Sequence, residues 1–390
     1  MQGIFAFSPA KWKMDWVLVA VLVPLLLAGL ITMKSLGGSD AEGKGSDYFF
    51  IRQLIWVAVG LIFFFLASSI DWRILRNGWL LFYLYLAGVI ILFGLLIFAR
   101  AVRGAESWIR LGLFSIEPAE PMKLILILVL SKYFSRRHIE IAHIRHIIVS
   151  GLYAAIPAAL IFLQPDFGSA IIFVAIWFGM ILVSGVSKRH LFFILAIAAL
   201  IIFVAWFYLL APYQKARILT FLNPLRDPRG SGYNALQSMV AVGSGGIMGR
   251  GIGYGTQSRL EFLPEHETDF IFAAFAEEWG FLGVGVLFFL FGVLFWRIIK
   301  AAFAGESNFE KYFGVGLFLL ILSHFIVNVG MNLGLLPITG ITLPFLSYGG
   351  SHIFILLGAL GILMGMRNYG YESGFSHKSE DFALSDVRGA

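Results

Sequence analysis

The sequence predicts an all-α, polytopic membrane protein with about ten transmembrane helices. Of its 390 residues, 59% are hydrophobic and 13% are charged, whereas soluble domains carry roughly 25% charged residues. The apolar residues form runs of about 20, the length that an α-helix needs to cross a bilayer. The ten runs lie at residues 15–36, 50–70, 78–99, 117–133, 147–163, 168–186, 190–210, 269–300, 311–336 and 345–366.

Lys and Arg residues indicate the orientation, because cytoplasmic segments carry an excess of both. With the N-terminus inside, sixteen of the 29 lie in predicted cytoplasmic segments, seven in short outer segments and six in the loop 211–268. Both termini are therefore predicted to be cytoplasmic, and the long loop 211–268, between the seventh and eighth helices, to face outward. Residues 1–370 are expected to form a single transmembrane domain, followed by a flexible cytoplasmic tail at 371–390.

Composition also excludes several classes of function. Cysteine is absent, so a disulfide framework, a thiol nucleophile and a thiolate metal site are excluded. The formal charge of +6 is explained by the cytoplasmic bias and by anionic lipid, and no nucleic-acid partner is expected. The first apolar run is too long for a signal-peptide core and is expected to remain as a helix.

Asp269 is the strongest candidate for a catalytic group, because it lies where the long polar loop meets the eighth span. On a helix beginning at Asp269, residues Ala273, Ala276, Gly280 and Gly283 share its face, which would place the carboxylate at the mouth of a small-residue groove. The other interpretation is structural: Asp269 caps the helix N-terminus, and the small residues admit a neighbouring helix.

Charged residues also surround the start of the fourth span. Glu120 and Lys123 are i, i+3 neighbours if Pro118 and Pro121 occupy the opening turn of a helix. A charge at the edge of the hydrocarbon costs on the order of a few kcal/mol unless it is paired or hydrated. Glu120 and Lys123 therefore either satisfy each other, or Lys123 acts with Arg110 to hold an anionic headgroup.

Two turn regions have open interpretations. Asp166, within 164–169 (QPDFGS), joins two spans and is either a site residue or a plain turn and N-cap. The glycine-rich stretch 242–255 offers backbone amides that could approach a phosphate. It lacks a nucleotide-binding P-loop motif, however, and fits a mobile lid or a linker equally well.

The ninth span carries His324 and Asn328 one turn apart, with Asn332 a further turn along. It runs into 336–351 (LPITGITLPFLSYGGS), whose prolines and glycines predict non-helical backbone at membrane depth. Such backbone is tolerated only where protein buries it or where it lines a cavity. His324 is interpreted as a structural residue, since no spacing here forms a recognisable metal site.

Together these segments resemble the SEDS family (shape, elongation, division and sporulation), which includes the RodA, FtsW and SpoVE proteins. The resemblance spans about residues 15–367. Within the family, 255–258 (GTQS) is more similar to the RodA branch than to the FtsW branch. Ser107, where the family usually has Arg, and Ala119, where it usually has Ser, depart from the pattern. The resemblance is carried by QPDFGS at 164–169, Tyr213-Gln214 with Arg217, GTQS at 255–258, FLPE at 262–265, TDFIFA at 268–273 with Glu277-Glu278, and LPFLSYGGS at 343–351.

The resemblance implies a multi-pass protein of the bacterial inner membrane that polymerises lipid II into β-1,4 glycan strands during cell elongation. The implied enzyme is an inverting peptidoglycan glycosyltransferase that binds lipid II and the nascent strand. Its implied partners are a class B penicillin-binding protein, which is a transpeptidase, and other membrane proteins of the elongation complex. The catalytic acid of the family maps onto Asp269. The predicted substrate-binding residues are Arg52, Trp108, Arg110, Glu120, Lys123, Asp166, Arg217, Thr268 and Ser347.

The residue types suit such a transferase. Sugar transfer from a pyrophosphate needs a base for the incoming hydroxyl and cations for the leaving group, whereas a glycosidase needs two carboxylates across one bond. Asp269 is expected to take the proton from the acceptor 4-hydroxyl, with Arg110, Lys123 and Arg217 neutralising the pyrophosphate. Desolvation should raise the pKa of Asp269, while nearby cations oppose that shift. The carboxylate is expected to face a cation-lined hollow sized for a lipid-linked sugar.

No motif demands a cofactor, although a divalent cation such as Mg²⁺ or Mn²⁺ could be held by Asp269, Glu265 and Glu267. Two other functions fit the same sequence. A lipid II flippase or transporter would need ionisable residues near the bilayer midplane, and Glu277 and Glu278 lie about 12 Å deeper than Asp269 by helical rise. A non-catalytic scaffold for the penicillin-binding partner would not need the Asp269 carboxylate at all.

Overall fold

The protein is a helical bundle, described by a computed structural model. The structure describes residues 14–36, 48–98, 109–111, 114–136, 144–228, 230, 232–260, 262–263, 265–305 and 307–387, with side chains through Asn368 except at a few positions that include Arg110 and Tyr213. The helices are α1 Trp16–Leu36, α2 Tyr48–Ser68, α3 Gly78–Phe98, α4 Ala119–Ser135, α5 Ile144–Leu163, α6 Phe167–Val183, α7 Lys188–Val204, α8 Pro212–Leu222, α9 Tyr233–Ser244, α10 Thr256–Arg259, α11 Ile271–Phe303, α12 Asn308–Asn332 and α13 Gly350–Val387.

Short elements complete the described chain. Strands β1 (Ile109–Leu111) and β2 (Phe114–Ile116) form an antiparallel ribbon in which Ile109 lies opposite Ile116. Short 3₁₀ helices occupy Trp72–Arg76 and Pro224–Arg226, and a π-helical turn follows α7 at Ala205–Leu209. The predicted outer loop 211–268 therefore contains α8, α9 and α10 rather than irregular chain alone.

The predicted all-α membrane class is confirmed. Eight helices within the described residues are long and apolar enough to cross a membrane: α1, α2, α3, α5, α7 with its π turn, α11, α12 and α13 through Asn368. The other two predicted runs coincide with α4 and α6, which have 17 residues each. Ten membrane crossings, and with them the cytoplasmic position of both termini, stay a prediction.

The most buried helices form the centre of the bundle, and the least buried ones face the surroundings. In α13 the apolar window is 83% buried, whereas the corresponding window of α7 is 6% buried. Glycines let α13 approach α2 closely, since a Cβ on Gly361 would lie 2.5 Å from the Phe64 carbonyl oxygen. α13 continues to Val387, so most of the predicted tail, 371–390, extends this helix; its separation from the membrane domain stays a prediction.

The helix α11 is broken at Gly280, which has φ 66° and ψ −168°. The glycine-rich segment 245–251 lies across this break and supplies the backbone partners that the helix lacks. A Cβ on Gly245 or Gly249 would come within 2.1 Å of the Ala276 or Glu278 carbonyl oxygen. The crossing bonds are Arg250 N–H to Glu277 O (2.9 Å), Gly251 N–H to Glu278 O (3.0 Å), Phe281 N–H to Gly246 O (2.9 Å) and Leu282 N–H to Ile247 O (3.1 Å).

This contact corrects two expectations. The face of α11 that carries Ala276 and Gly280 is not an open groove, because segment 245–251 fills it. The same segment is neither a mobile lid nor a linker, since its backbone is hydrogen-bonded to α11. Its glycines are needed for close approach to a helix rather than to a phosphate.

Candidate functional site

Asp269 lies in a tight turn directly before α11. The Glu265 carbonyl oxygen accepts hydrogen bonds from the backbone N–H groups of Thr268, Asp269 and Phe270, at 3.2, 3.1 and 3.3 Å. Glu265 itself has a positive φ of 48°. This turn holds the Asp269 carboxyl group, which is partly buried, above the first turn of α11.

The interpretation of Asp269 as a helix cap is wrong. The N-cap position of α11 is Phe270, and no side chain of the flanking residue caps the helix. An amide from α12 does this instead, since Asn332 Oδ1 accepts the Ala273 N–H at 3.2 Å. The Nδ2 groups of Asn328 and Asn332 both donate to the Asp269 carbonyl oxygen, at 2.9 and 3.1 Å. The backbone of Asp269 is thus fixed while its carboxyl group is left available for chemistry.

Ser347 stabilises the same turn through Thr268, the residue before Asp269. Its hydroxyl donates to the Thr268 carbonyl oxygen at 2.6 Å and accepts the Leu343 N–H at 2.7 Å. Gln53 of α2 donates to the Ser347 carbonyl oxygen at 2.9 Å. The Ser347 side chain is only 2% exposed, so the structure places it as a support for the Asp269 turn, beneath the surface that a substrate could reach.

The environment of Asp269 favours a base that works near neutral pH. Burial, followed by the negative charge of Glu265, raises the pKa of Asp269 from 3.8 to about 6. The Thr268 hydroxyl and the Arg217 guanidinium oppose this shift. Across from the carboxylate lies Gly340, where a Cβ would approach Asp269 Oδ2 to 3.4 Å. The predicted partners Thr268 and Arg217 are therefore within reach of Asp269.

For Asp166 the structure supports the structural interpretation, while its role as a site residue stays a prediction. It caps α6, because its Oδ1 accepts the Ser169 N–H at 2.9 Å, as the structural interpretation required. Its charge also acts on Asp269 from the neighbouring turn and on Lys123 below. Asp166 therefore connects the outer turn to the buried charges of α4.

Glu120 and Lys123 form the predicted ion pair, with Nζ 2.8 Å from Glu120 Oε1. Two histidines complete it: the Lys123 Nζ lies 3.2 Å from His324 Nε2, and His352 Nδ1 lies 2.9 Å from Glu120 Oε2. The four residues are at most 4% exposed. Since the Lys123 ammonium is buried and donates to Glu120, it supports the site from below, and an anion could reach it only if this pair opened.

The residues present do not fit the divalent cation proposed from the sequence. Among the described residues, the oxygens of Asp269, Glu265 and Glu267 do not converge, and Glu267 pairs with His266 at 3.1 Å. The ligand atoms of Glu120, His324 and His352 do lie within 4.8 Å of one another. The Lys123 ammonium hydrogen-bonds two of these groups, however, and its charge opposes a metal ion.

Of the remaining predicted site residues, Arg52 is described but does not act on Asp269, and the side chains of Trp108 and Arg110 are not described. Arg52 lies at the N-terminal end of α2 with its guanidinium 4.2 Å from the centre of the Tyr48 ring, and it is not among the charges that act on Asp269. Trp108 lies outside the described residues, as does the side chain of Arg110, whose backbone belongs to β1.

The predicted cation-lined hollow beside Asp269 stays a prediction. A nearby recess lined by Arg217, Gln214 and Thr339 has a volume of about 20 Å³, which holds about one water molecule. Arg217 is the single cation among its lining residues, Asp269 does not line it, and Pro165 and Phe167 close it on one side. The recess marks where Arg217 approaches the outer turns.

Glu277 and Glu278 hold the segment 253–258 against α11. The Glu277 carboxylate accepts the Gln257 N–H, the Ser258 N–H and the Ser258 hydroxyl at 2.8, 3.1 and 2.7 Å. Glu278 accepts the Gly253 N–H at 2.8 Å and the Ser35 hydroxyl of α1 at 2.7 Å. The motif at 255–258 is therefore a docking site for Glu277.

Three supporting residues were missed by sequence reasoning as site residues: Gln53, Glu117 and His352. Glu117 accepts a 3.4 Å hydrogen bond from the Ser169 hydroxyl and lies close enough to Lys123 to act on its charge. A polar side chain inside an apolar run was the available signal for Gln53 and His352.

Residues 15–372 match the family model of FtsW, RodA and SpoVE, described as "Cell cycle protein". Stage V sporulation protein E of Bacillus subtilis is 38% identical over 367 residues, covering 92% of this chain and 98% of its own. Peptidoglycan glycosyltransferase MrdB of Escherichia coli K12 is 32% identical over 359 residues, covering 92% and 95%. A solved chain described as "Structural coordination of polymerization and crosslinking by a peptidoglycan synthase complex" superposes with a TM-score of 0.78 at 31% identity, covering 93% of this chain and 99% of that one. The chain therefore belongs to the FtsW/RodA/SpoVE family of multi-pass membrane proteins.

Proposed function

We propose that this protein is a peptidoglycan glycosyltransferase that polymerises lipid II, with Asp269 as the general base. The observation that carries the proposal is the state of the Asp269 carboxyl group. It is partly buried, its pKa is raised to about 6, and its backbone is fixed by Asn328 and Asn332. A carboxylate that only capped a helix would not need these features. Relatives that carry the name peptidoglycan glycosyltransferase support the same activity.

In the proposed reaction, Asp269 takes the proton from the 4-hydroxyl of the acceptor sugar. The acceptor oxygen attacks the anomeric carbon of the donor, and the bond from that carbon to the pyrophosphate oxygen breaks with inversion. The electron pair leaves on undecaprenyl pyrophosphate, whose charge we propose that Arg217 neutralises, with Arg110 as the second candidate. General-base catalysis of this kind contributes roughly 10²- to 10⁴-fold to the rate.

Binding of a sugar at the recess beside Arg217 would require movement. The recess has a volume of about 20 Å³ and cannot hold a disaccharide, so we propose that α8 and the segment 337–339 separate when lipid II binds there. Glu120 and Lys123 act in this scheme as positioning residues. Their buried pair supports the α4 end of the site, together with His324 and His352.

We further propose that the protein acts in cell elongation together with a cross-linking partner. The motif at 255–258 favours the elongation branch of the family, and the similarity to a chain from a peptidoglycan synthase complex favours a cross-linking partner of the class B penicillin-binding type. Membrane proteins of the elongation complex are the remaining proposed partners.

Transport of lipid II is the alternative, and the state of Glu277 and Glu278 weighs against it. These are the deep carboxylates that a carrier would use, yet both are engaged by loop amides and hydroxyls. The groups that we propose for the reaction, Asp269 and Arg217, lie instead at the end of the bundle that is predicted to face outward.

The test is gel analysis of lipid II polymerisation by the purified chain, alone and with its penicillin-binding partner. Asp269→Asn should abolish polymer while the protein keeps its elution volume and melting temperature. Asp71→Asn, which removes a carboxylate beside the exposed 3₁₀ helix Trp72–Arg76, is the matched control and should polymerise normally. Polymer from Asp269→Asn would disprove the base role. Movement of labelled lipid II between leaflets without polymer would favour transport.

A further inference from the structure

A second cavity lies at the opposite end of the bundle, between α3, α4 and α5. We call this cavity the basic pocket. It has a volume of about 300 Å³ and is lined by Phe82, Tyr85, Lys132, Tyr133, Arg136 and Tyr153. A volume near 300 Å³ is at the lower end of the range for small-molecule sites. Lys132 and Arg136 follow Lys123 by more than two helical turns along α4, so the basic pocket is separate from the Asp269 site.

Hydrogen bonds and ring contacts fix the aromatic walls of the basic pocket. The Tyr85 hydroxyl donates to the Tyr153 carbonyl oxygen at 3.0 Å, and the Tyr133 hydroxyl is paired with His146 Nδ1 at 2.8 Å. The Tyr85 and Tyr153 rings meet edge to face at 5.5 Å. Because these hydroxyls already have protein partners, the cations are the groups left to bind a ligand.

No described carboxylate neutralises the positive charge of the basic pocket. Among the described residues, the Lys132 ammonium donates to the Arg76 backbone carbonyl oxygen, and it lies within electrostatic reach of both the Arg136 and Arg76 guanidinium groups. The Arg76 charge is offset by Glu310 at 2.6 Å. In the part of the chain that the structure describes, neither Lys132 nor Arg136 has a carboxylate within ion-pair distance.

A simpler explanation is that both cations complement the C-terminus of α4, where Arg136 is the C-cap. The helix dipole supplies only about half a negative charge there. That leaves most of two positive charges beside a cavity with fixed walls. Anionic ligands are the chemical class that such a pocket binds.

We propose that the basic pocket binds a phosphate group, and that the phosphate belongs to an anionic phospholipid of the cytoplasmic leaflet. Phe82 lines the pocket and is also 49% exposed on the outer surface of α3, so the cavity reaches the surface that faces acyl chains. Basic pockets between transmembrane helices on the cytoplasmic side bind lipid headgroups in this way. The proposal is independent of the reaction proposed for Asp269.

Native mass spectrometry of the full chain, with phosphatidylglycerol or phosphatidylcholine added, tests the proposal. The wild-type protein should retain phosphatidylglycerol at least tenfold more strongly than phosphatidylcholine. Lys132→Gln with Arg136→Gln should remove that preference. Lys188→Gln with Arg189→Gln, which removes two cations from the start of α7 outside the pocket, is the matched control and should keep it.

A competition arm separates the two sources of phosphate. If millimolar inorganic phosphate leaves phosphatidylglycerol bound, the lipid assignment stands; if it displaces the lipid completely, a free phosphate compound is the ligand and the lipid assignment is overturned. Equal binding of both lipids by the wild type, or an unchanged preference in the double variant, would overturn the site itself. Arg136→Gln alone, at an exposed side chain, gives the same readout if the double variant is unstable.

Discussion

The Ser347 hydroxyl donates a 2.6 Å hydrogen bond to the Thr268 carbonyl oxygen, one residue before Asp269. The same hydroxyl accepts the Leu343 N–H, so one buried side chain joins the irregular segment after α12 to the turn before α11. Ser347 thus controls the position of the proposed base without contacting it.

Ser347→Ala should therefore slow the reaction as well as reduce stability. Leaving the buried Leu343 N–H without an acceptor costs about 1–3 kcal/mol, and we expect a loss of at least tenfold in kcat with a smaller change in KM. Ser131→Ala is the matched control, because the buried Ser131 hydroxyl bonds only to Ile127 O of its own helix. Equal kcat values for the two variants would contradict this role of Ser347.

The polymerisation rate should depend on the ionisation of Asp269. Because the pKa of Asp269 is raised to about 6, the carboxyl group is protonated and inactive as a base below that pH. We expect kcat to rise through about pH 6 and to level off above it, measured with saturating lipid II. A flat profile between pH 5 and pH 7.5 in single-turnover experiments would be inconsistent with a base of this pKa.

Asp269 also makes the stability of the fold depend on pH, and this stability falls with rising pH while the activity rises. In the unfolded chain Asp269 has its ordinary pKa of 3.8, so between pH 4 and pH 6 the folded protein binds more protons than the unfolded one. This contribution is complete below about pH 4 and is lost as the pH rises through about 6. Asp269→Asn should remove it, which can be measured as a smaller fall in melting temperature from pH 4.5 to pH 7.

The Glu120–Lys123 pair should show strong coupling in a double-mutant cycle. Lys123→Met leaves a buried carboxylate with only His352 as a partner, and breaking a buried pair in this way costs about 3–5 kcal/mol. Glu120→Gln combined with Lys123→Met should recover much of this loss. Strictly additive losses of unfolding free energy would show that the two groups do not act as a pair.

Glycines in the segment that crosses the α11 break provide a graded test of close packing. Gly249 has φ 82°, and a Cβ there would lie 2.1 Å from the Glu278 carbonyl oxygen; Gly246 has φ 56° with no atom within 4 Å of its Cβ position. Gly249→Ala should cost about 3 kcal/mol or more, and Gly246→Ala about 1–2 kcal/mol for its left-handed backbone alone.

Gly243→Ala is the control for this series, since a Cβ at that helical position meets nothing within 4 Å. It should be neutral or slightly stabilising, because alanine favours a helix over glycine by about 1 kcal/mol. The measurement is thermal unfolding in one detergent for all three variants. If Gly249→Ala and Gly243→Ala had the same melting temperature, the segment 245–251 would not pack against α11 in solution.

The sequence alone predicted the features that depend on residues close together in the chain, namely the helices, one helix cap and one ion pair. Apolar runs of membrane length mark the helices because each satisfies its own backbone hydrogen bonds in lipid, and all ten runs coincide with helices. The cap formed by Asp166 and the pair of Glu120 with Lys123 join residues three apart, which is within reach of a sequence pattern.

Contacts between distant segments were not accessible in this way. The Ser347–Thr268 bond joins residues 79 apart, and the His352–Glu120 contact joins residues 232 apart. Nothing in the sequence near Glu277 indicates that its carboxylate accepts the backbone N–H of Gln257. The role of Gly280 was misread for the same reason: a glycine in an apolar run can be a packing contact or a break, and only the partner segment decides.

The break at Gly280 divides α11 into two mechanical parts. The segment 245–251 is hydrogen-bonded to both of them: it donates to the Glu277 and Glu278 carbonyl oxygens before the break and accepts from Phe281 and Leu282 after it. The angle between the two parts of α11 therefore depends on this backbone contact, and with it the position of the Asp269 turn relative to the longer part of the helix. The longer part has a second anchor near its other end, where Arg297 pairs with Asp15, and Arg367 of α13 pairs with the same carboxylate.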